Sequence, residues 1–222
     1  MCGRVKLPED YSETKIQLDR EAWDAILNYE RRYNVAPTDK IPVITSSNGE
    51  RKLEMMRWGL VPWWAKDLKI GFSSFNARAE TVAKTPAFRD AWKRGQRCLV
   101  VTGGFYEWRK PDKQPFMIAL GNKQMMCMAG LWDRWKPKDG EPVRSCTVIT
   151  TEANAMIAPI HDRMPVILGA EDWAAWLGEE PLADPAVLLK PFPPERMTMW
   201  PVSKAVGNVK NVGRELAEPI AI

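Results

Sequence analysis

The chain begins Met1-Cys2-Gly3-Arg4. A small residue at position two permits removal of the initiator methionine, which would make Cys2 the N-terminal residue. Its α-amine and thiol would then sit on adjacent carbons, a pair that only a chain terminus offers. The amine can condense with an aldehyde to an imine, and the thiol can add to the imine carbon and close a five-membered thiazolidine. A lysine imine lacks the second step and stays readily hydrolysed. With ordinary pKa values of about 8 for an α-amine and about 8.5 for a thiol, modest local help would supply both nucleophiles near neutral pH. Taken alone, a Met-Cys start equally fits a loose terminus.

A trap of this kind needs groups that move protons and groups that hold the substrate. Glu107 lies in Gly-Phe-Tyr-Glu-Trp, between aromatic residues, where partial desolvation suits a carboxylate to acid–base work. Strand alternation by itself would allow Glu107 to face either inward or toward solvent. His161 is the single histidine, in His-Asp-Arg-Met-Pro, and imidazole is the natural proton donor near neutral pH. A lone histidine is often structural. Asn76 opens Asn-Ala-Arg-Ala-Glu ahead of an expected helix, so it reads either as an N-cap or as an amide that holds a substrate oxygen. Arg4, Arg78, Arg163 and Lys210 are cations that could meet phosphates. Trp63 and Trp64, after Pro62, could stack on bases or cap a core.

The elements that would carry these residues are mostly strands. Residues 12–29 read as an amphipathic helix and residues 33–38 as a loop set by Pro37. IPVIT at 41–45 is a strand, and MRWGLVPWW at 56–64 a strand running into a Gly/Pro-broken aromatic loop. Residues 77–93 read as a helix broken near Pro86. RCLVVT, FYEWR, PFMIAL, MMCMAGLW and SCTVITTEA follow as β-type runs between polar turns, and an apolar strand follows His-Asp-Arg. AEDWAAWL at 170–177 is a short helix, and from 197 a brief strand leads into a Gly/Asn/Lys loop. With no internal repeat or linker, the expectation is one α+β domain over 1–222, β-rich, with a curved sheet or barrel-like core and flanking helices.

Composition narrows the functional classes. The chain has 222 residues, 45% hydrophobic and 27% charged, enough to bury a real core. No apolar run approaches the roughly 20 residues of a membrane span, and no basic-then-apolar leader opens the chain, so a cytoplasmic protein without a membrane partner is expected. Cys2, Cys98, Cys127 and Cys146 are widely spaced and read as thiols, with Cys98 and Cys127 as buried packing residues. One histidine and no Cys-x-x-Cys pair argue against zinc, and no metal or other cofactor is expected. Net charge is +4, but residues 1–110 hold 20 Lys/Arg against 14 Asp/Glu, and residues 111–222 hold 12 against 14. The basic half also carries the Trp pair, a weak pointer to a polyanion.

Taken together, seven blocks resemble the SOS response-associated peptidase (SRAP) family of abasic-site sensors. They are MCGR at 1–4, YNVAP at 33–37, WGLVPWW at 58–64, NARAE at 76–80, GFYEW at 104–108, HDRMP at 161–165 and PVSKAVGNVKN at 201–211, in family order over nearly the whole chain. The resemblance implies an abasic site in single-stranded DNA as partner, notably near junctions with duplex. The ring-opened sugar would present its C1′ aldehyde to Cys2. Glu107 would handle the amine and proton transfers, His161 would act as acid–base near the sugar oxygen, and Asn76 would orient the sugar. Arg4, Arg78 and Lys210 would hold phosphates, with Asn34, Pro37, Thr150 and Arg163 shaping the pocket and Trp63 and Trp64 blocking one duplex path or stacking. Lyase and self-processing activities belong to the same expectation, as does a monomer.

Two other readings use the same residues. A thiol peptidase of the N-terminal-nucleophile type would direct Cys2 at a peptide carbonyl. A non-catalytic single-stranded DNA module would keep the Arg/Trp surface and tolerate loss of Cys2.

Overall fold

The computed structural model describes residues 2–11, 29, 32–121 and 125–222, so the helix expected at 12–29 falls outside them apart from Tyr29. Twelve strands form two sheets among the described residues. The larger sheet contains β2 (Lys40–Ser47), β3 (Glu50–Trp58), β5 (Arg97–Thr102), β8 (Met126–Trp135) and β9 (Val143–Glu152). These pair in the order β3-β2-β5-β8-β9, and β9 returns to β3 through a parallel pairing of Arg57 and Trp58 with Ser145 and Cys146. The result is a closed five-stranded ring, the barrel-like core expected from the run of apolar strands. The smaller sheet is antiparallel, ordered β1 (Val5–Lys6), β6 (Gly104–Trp108), β7 (Pro115–Leu120), β12 (Met197–Pro201).

The strands read as continuous apolar runs because both of their faces are covered. In β5, Cys98 and Val100 join one buried cluster with Val43, Met56, Trp58 and Cys146. Leu99 and Val101 join another, with Cys127, Leu131, Trp173 and Trp176. The second cluster lies under the short helices Arg89–Lys93 and Trp173–Leu177. Trp176 also donates its indole N–H to the carbonyl of Cys98 at 2.9 Å, so the polar edge of a fully buried ring is satisfied. Burying each such side chain contributes about 1.5–3 kcal/mol.

Two local expectations are corrected. The helix expected over 77–93 is confined to Arg89–Lys93, and Asn76–Arg78 instead forms strand β4, parallel to Val148–Thr150 of β9. The ladder takes up the backbone groups that a helix would have used, Ala77 is buried, and Pro86 cannot donate within a helix. Asn76 is therefore not an N-cap. The apolar strand after His-Asp-Arg is two strands, β10 (Arg163–Pro165) on β9 and β11 (Ile167–Leu168) on β8. Val166 bridges the gap, donating to Ile149 at 2.9 Å and accepting from Ala129 at 2.8 Å.

The aromatic loop after β3 closes on itself at two glycines. Gly59 has φ 125°, and a Cβ there would lie 2.3 Å from the carbonyl oxygen of Gly71. Both the positive φ and the backbone contact demand glycine. Gly59→Ala should destabilise the chain by about 2 kcal/mol or more, read as a lower urea midpoint.

Burial raises the pKa of the Cys2, Cys98 and Cys146 thiols and of the Tyr11 and Tyr106 phenols above their ordinary values. The folded chain then holds these protons more tightly than the unfolded chain does. Stability is full below the ordinary values, 9.0 for the thiols and 10.0 for the phenols, and is lost as pH climbs past them. The melting temperature should fall by at least about 5 °C between about pH 8.5 and 10.5; a flat profile would contradict this burial.

Candidate functional site

The start of the chain runs along the edge of the small sheet. Val5 pairs with Phe105, and the Tyr106 N–H donates to the carbonyl of Arg4 at 2.9 Å. The same antiparallel register sets Gly3 opposite Glu107. Alternation along β6 puts Phe105 in the cluster that also contains Cys2, while Tyr106 and Trp108 pack with Val202, Val206 and Leu216 on the other face. Glu107 shares the Phe105 face and is 5% exposed, so the inward of its two strand orientations is the one adopted. Its Oε1 accepts the Trp108 N–H at 3.2 Å.

Cys2 is fully buried, and its thiol pKa is well above the ordinary range. Desolvation is the main cause, and the Glu107 charge adds to it by disfavouring a second negative charge nearby. This corrects the expectation of a thiol poised near neutrality: the environment holds it protonated. The Asn76 side-chain N–H donates to the Cys2 carbonyl at 2.7 Å, so β4 fixes the first peptide of the described chain.

β9 gathers the other candidates. Arg78 of β4 pairs with Thr150 on one edge of β9, and Pro165 of β10 pairs with Thr150 on the other. This register brings Asn76, Arg78, Thr150, His161 and Arg163 to one end of the ring. His161 Nδ1 accepts the Arg163 backbone N–H at 3.0 Å, and Asp162 Oδ1 lies 3.0 Å from the same nitrogen. The first contact suits the neutral ring and the second suits the imidazolium, so the ring has a partner at Nδ1 in either state. Lys110 reaches the same Asp162 oxygen at 3.3 Å.

The side chains assigned to binding divide into two groups. Thr150 is buried, and Arg163 donates to its carbonyl at 2.6 Å while forking onto both oxygens of Glu80. Arg4 and Asn34 are also held internally. Arg4 Nη1 donates to Asn34 Oδ1 at 2.7 Å and to the Val206 carbonyl at 2.5 Å, and the Asn34 amide donates to the carbonyls of Asn208 and Asn211. These two residues tie the N-terminal strand to the loop that presents exposed Lys210. Pro37 occupies a turn closed by the Asp39 N–H on the Ala36 carbonyl.

Trp63 and Trp64 are 55% and 42% exposed, although the backbone beneath them is fixed. The Trp63 N–H donates to buried Asp133 at 3.1 Å, and the Trp135 indole donates to the Ala65 carbonyl at 2.7 Å. The Trp63 indole itself donates to Asp90 at 3.1 Å, so its exposed ring is held in place. Two residues of this region escaped the sequence reading. Phe72 is 63% exposed, with the Arg57 guanidinium 6.0 Å from its ring centre. Glu80 closes the Asn-Ala-Arg-Ala-Glu motif, and its acidic side chain in an expected helix gave no sign of a partner on β10.

The sequence model of the SOS response associated peptidase (SRAP) family matches residues 1–209. This chain belongs to the SRAP family. It is 38% identical over 224 residues to the abasic site processing protein YoqW of Bacillus subtilis (strain 168), covering 98% of this chain and 99% of that one. It is 32% identical to the abasic site processing protein HMCES of Xenopus tropicalis, over 95% of this chain and 76% of that protein. A crystal structure of a Bacteroides thetaiotaomicron protein superposes with a TM-score of 0.87 at 30% identity, covering 99% of this chain and all of that one. A Bordetella bronchiseptica structure at 24% identity and a TM-score of 0.74 shares the fold. Among the described residues of this SRAP chain, no group of three or more His, Cys, Asp or Glu could hold a metal ion, and no helix is long and apolar enough to cross a membrane.

All four cysteines are free and buried. The native chain should therefore be silent to a thiol-disulfide reagent at about pH 8 and should titrate four thiols once denatured. A fast-reacting native thiol would contradict the placement of Cys2.

Proposed function

We propose that the chain captures abasic sites in single-stranded DNA, including those near duplex junctions, by a covalent bond through Cys2 once Met1 is removed. The observation that carries this reading is the placement of Cys2. It lies at the chain start within the charge field of Glu107, and its carbonyl is held by Asn76, in a family whose relatives include abasic site processing proteins. The Cys2 amine attacks the C1′ aldehyde of the ring-opened sugar, and water leaves to give an imine. The thiol sulfur then adds to the imine carbon, its proton passes to the nitrogen, and the thiazolidine closes. Glu107 and His161 carry protons for these steps, and Asn76 orients the reacting end.

The raised thiol pKa gives the order of events. A protonated, buried thiol is a poor first nucleophile, whereas an imine carbon is electrophilic enough to draw it in as the proton moves to nitrogen. Lyase chemistry would follow if the imine lost a proton from the sugar before the thiol closed on it. Affinity for the strand would come from Arg78, Arg163 and Lys210 on phosphates and from Trp63, Trp64 and Phe72 on bases, with no base read at the lesion, and it should fall with salt. On this reading the protein acts as a single domain and as a monomer.

The test is intact mass spectrometry after mixing with a single-stranded oligonucleotide carrying one abasic site. A heat-stable adduct on a chain lacking Met1, mapped to Cys2, is expected. Cys2→Ser keeps the amine but closes a less durable oxygen ring, so the heat-stable adduct should drop on the order of tenfold or more. Full retention by Cys2→Ser would contradict the thiazolidine. No adduct from a chain confirmed to begin at Cys2, with cleavage of unrelated peptides, would favour the peptidase.

A further inference from the structure

Arg163 and Arg78 stand on opposite edges of β9, and one carboxylate, Glu80, is ion-paired to Arg163 and lies within the charge field of Arg78. Arg163 Nη1 donates to Glu80 Oε1 at 2.6 Å and Nη2 to Oε2 at 3.0 Å, a bidentate fork. A guanidinium presents the same pair of N–H groups to two oxygens of a phosphate. The Arg163 fork lowers the Glu80 carboxyl pKa below the ordinary range, and the charges of Arg163 and then Arg78 add to it. The two partners differ in mobility. The Arg163 side chain is 15% exposed and is held a second time by the Thr150 carbonyl at 2.6 Å, whereas the Glu80 side chain is 53% exposed. Arg163 is thus fixed whether or not Glu80 is present, and Glu80 is the partner that can leave.

We propose that Glu80 is an internal stand-in for a backbone phosphate: it occupies the anion position on the Arg163 fork, within the charge field of Arg78, and is displaced when a phosphodiester of the bound strand takes that position. This rests on the DNA reading above. Glu80 then opposes binding in two ways, by competing for the Arg163 fork and by repelling the incoming phosphate. It also keeps the arginine pair neutralised when no nucleic acid is bound, so that other anions gain little there. The exposed Glu80 end of the pair can exchange for another anion without unfolding its surroundings.

The experiment measures the affinity of the full chain for a single-stranded oligonucleotide without an abasic site, so that covalent chemistry does not enter, across a salt series. Glu80→Gln should bind about three- to fivefold tighter than the parent chain, the reverse of what loss of a merely structural ion pair would do. Its plot of log affinity against log salt should keep the parent's slope, because the same phosphate is neutralised in both complexes. Glu80→Ala should move affinity in the same direction. In an Arg163→Ala background, Glu80→Gln should bring no gain. If the parent chain binds and Glu80→Gln is no tighter, or its gain survives in the Arg163→Ala background, this inference fails while the DNA reading stands. If the parent chain does not bind the strand at all, both are overturned.

Discussion

A residue near a chain end is weakly restrained by its covalent neighbours, so a group there keeps its position only if non-covalent bonds supply the missing restraint. In this chain the restraint is built up over the first seven residues. Val5 exchanges both of its backbone hydrogen bonds with Val35, at 3.0 and 2.9 Å, while the Lys6 carbonyl accepts from the Gly103 N–H at 2.8 Å on the other side. The Leu7 N–H donates to the Arg32 carbonyl at 2.6 Å, and the Arg4 carbonyl accepts from Tyr106. Side chains then reach where the ladder ends: the Asn34 carboxamide receives Arg4, and the Asn76 amide takes the carbonyl of Cys2. An unmade bond at a buried carbonyl would cost about 1–3 kcal/mol, so each contact both satisfies a group and fixes an atom.

That pinning places Cys2 between groups of both sheets, Asn76 on its carbonyl and the Glu107 charge on its thiol. Glu107 belongs to the small sheet, while Asn76 and His161 belong to strands or turns fixed by the large one. β9 has a different partner at each stretch of its length: β8 and β3 near its start, then β4 and β10 around Thr150. The switch opens one end of the ring and leaves room for two short strands there. Both carry functional candidates, and in both the pairing with β9 sets which way successive side chains point. The buried hydroxyl of Thr150, bonded to the Ala77 carbonyl, helps to hold this junction.

Much of this was legible in the sequence, for physical reasons. The barrel strands are buried on both faces, so they stand out as unbroken apolar runs. The site residues lie in short motifs whose glycines, prolines and aromatics mark loops. What was not legible came from partners distant along the chain. Arg4 is a candidate by its charge and Asn34 by the family resemblance, and neither ground reveals that their bonds run to residues 202, 174 and 177 positions away. Residues 77–88 carry a helical pattern, but the parallel ladder to β9 and the imino nitrogen of Pro86 outweigh a preference worth only tenths of a kcal/mol per residue. Glu80 belongs to the same failure. An acid in an expected helix reads as a solvated face until β10 is seen to place an arginine against it.

The thiol is the case where residue type misled most. Cysteine at a terminus suggests an activated nucleophile, but here desolvation and the Glu107 charge outweigh the N-terminal ammonium and the Arg4 backbone hydrogen bond that favour a thiolate. On the proposed reading, a thiol held protonated stays inert until an imine forms beside it. The sulfur would then add to the imine carbon as its proton passes to the nitrogen, so no free thiolate would have to exist in the buried site. Burial would thus shield the thiol until an aldehyde had been captured by the amine.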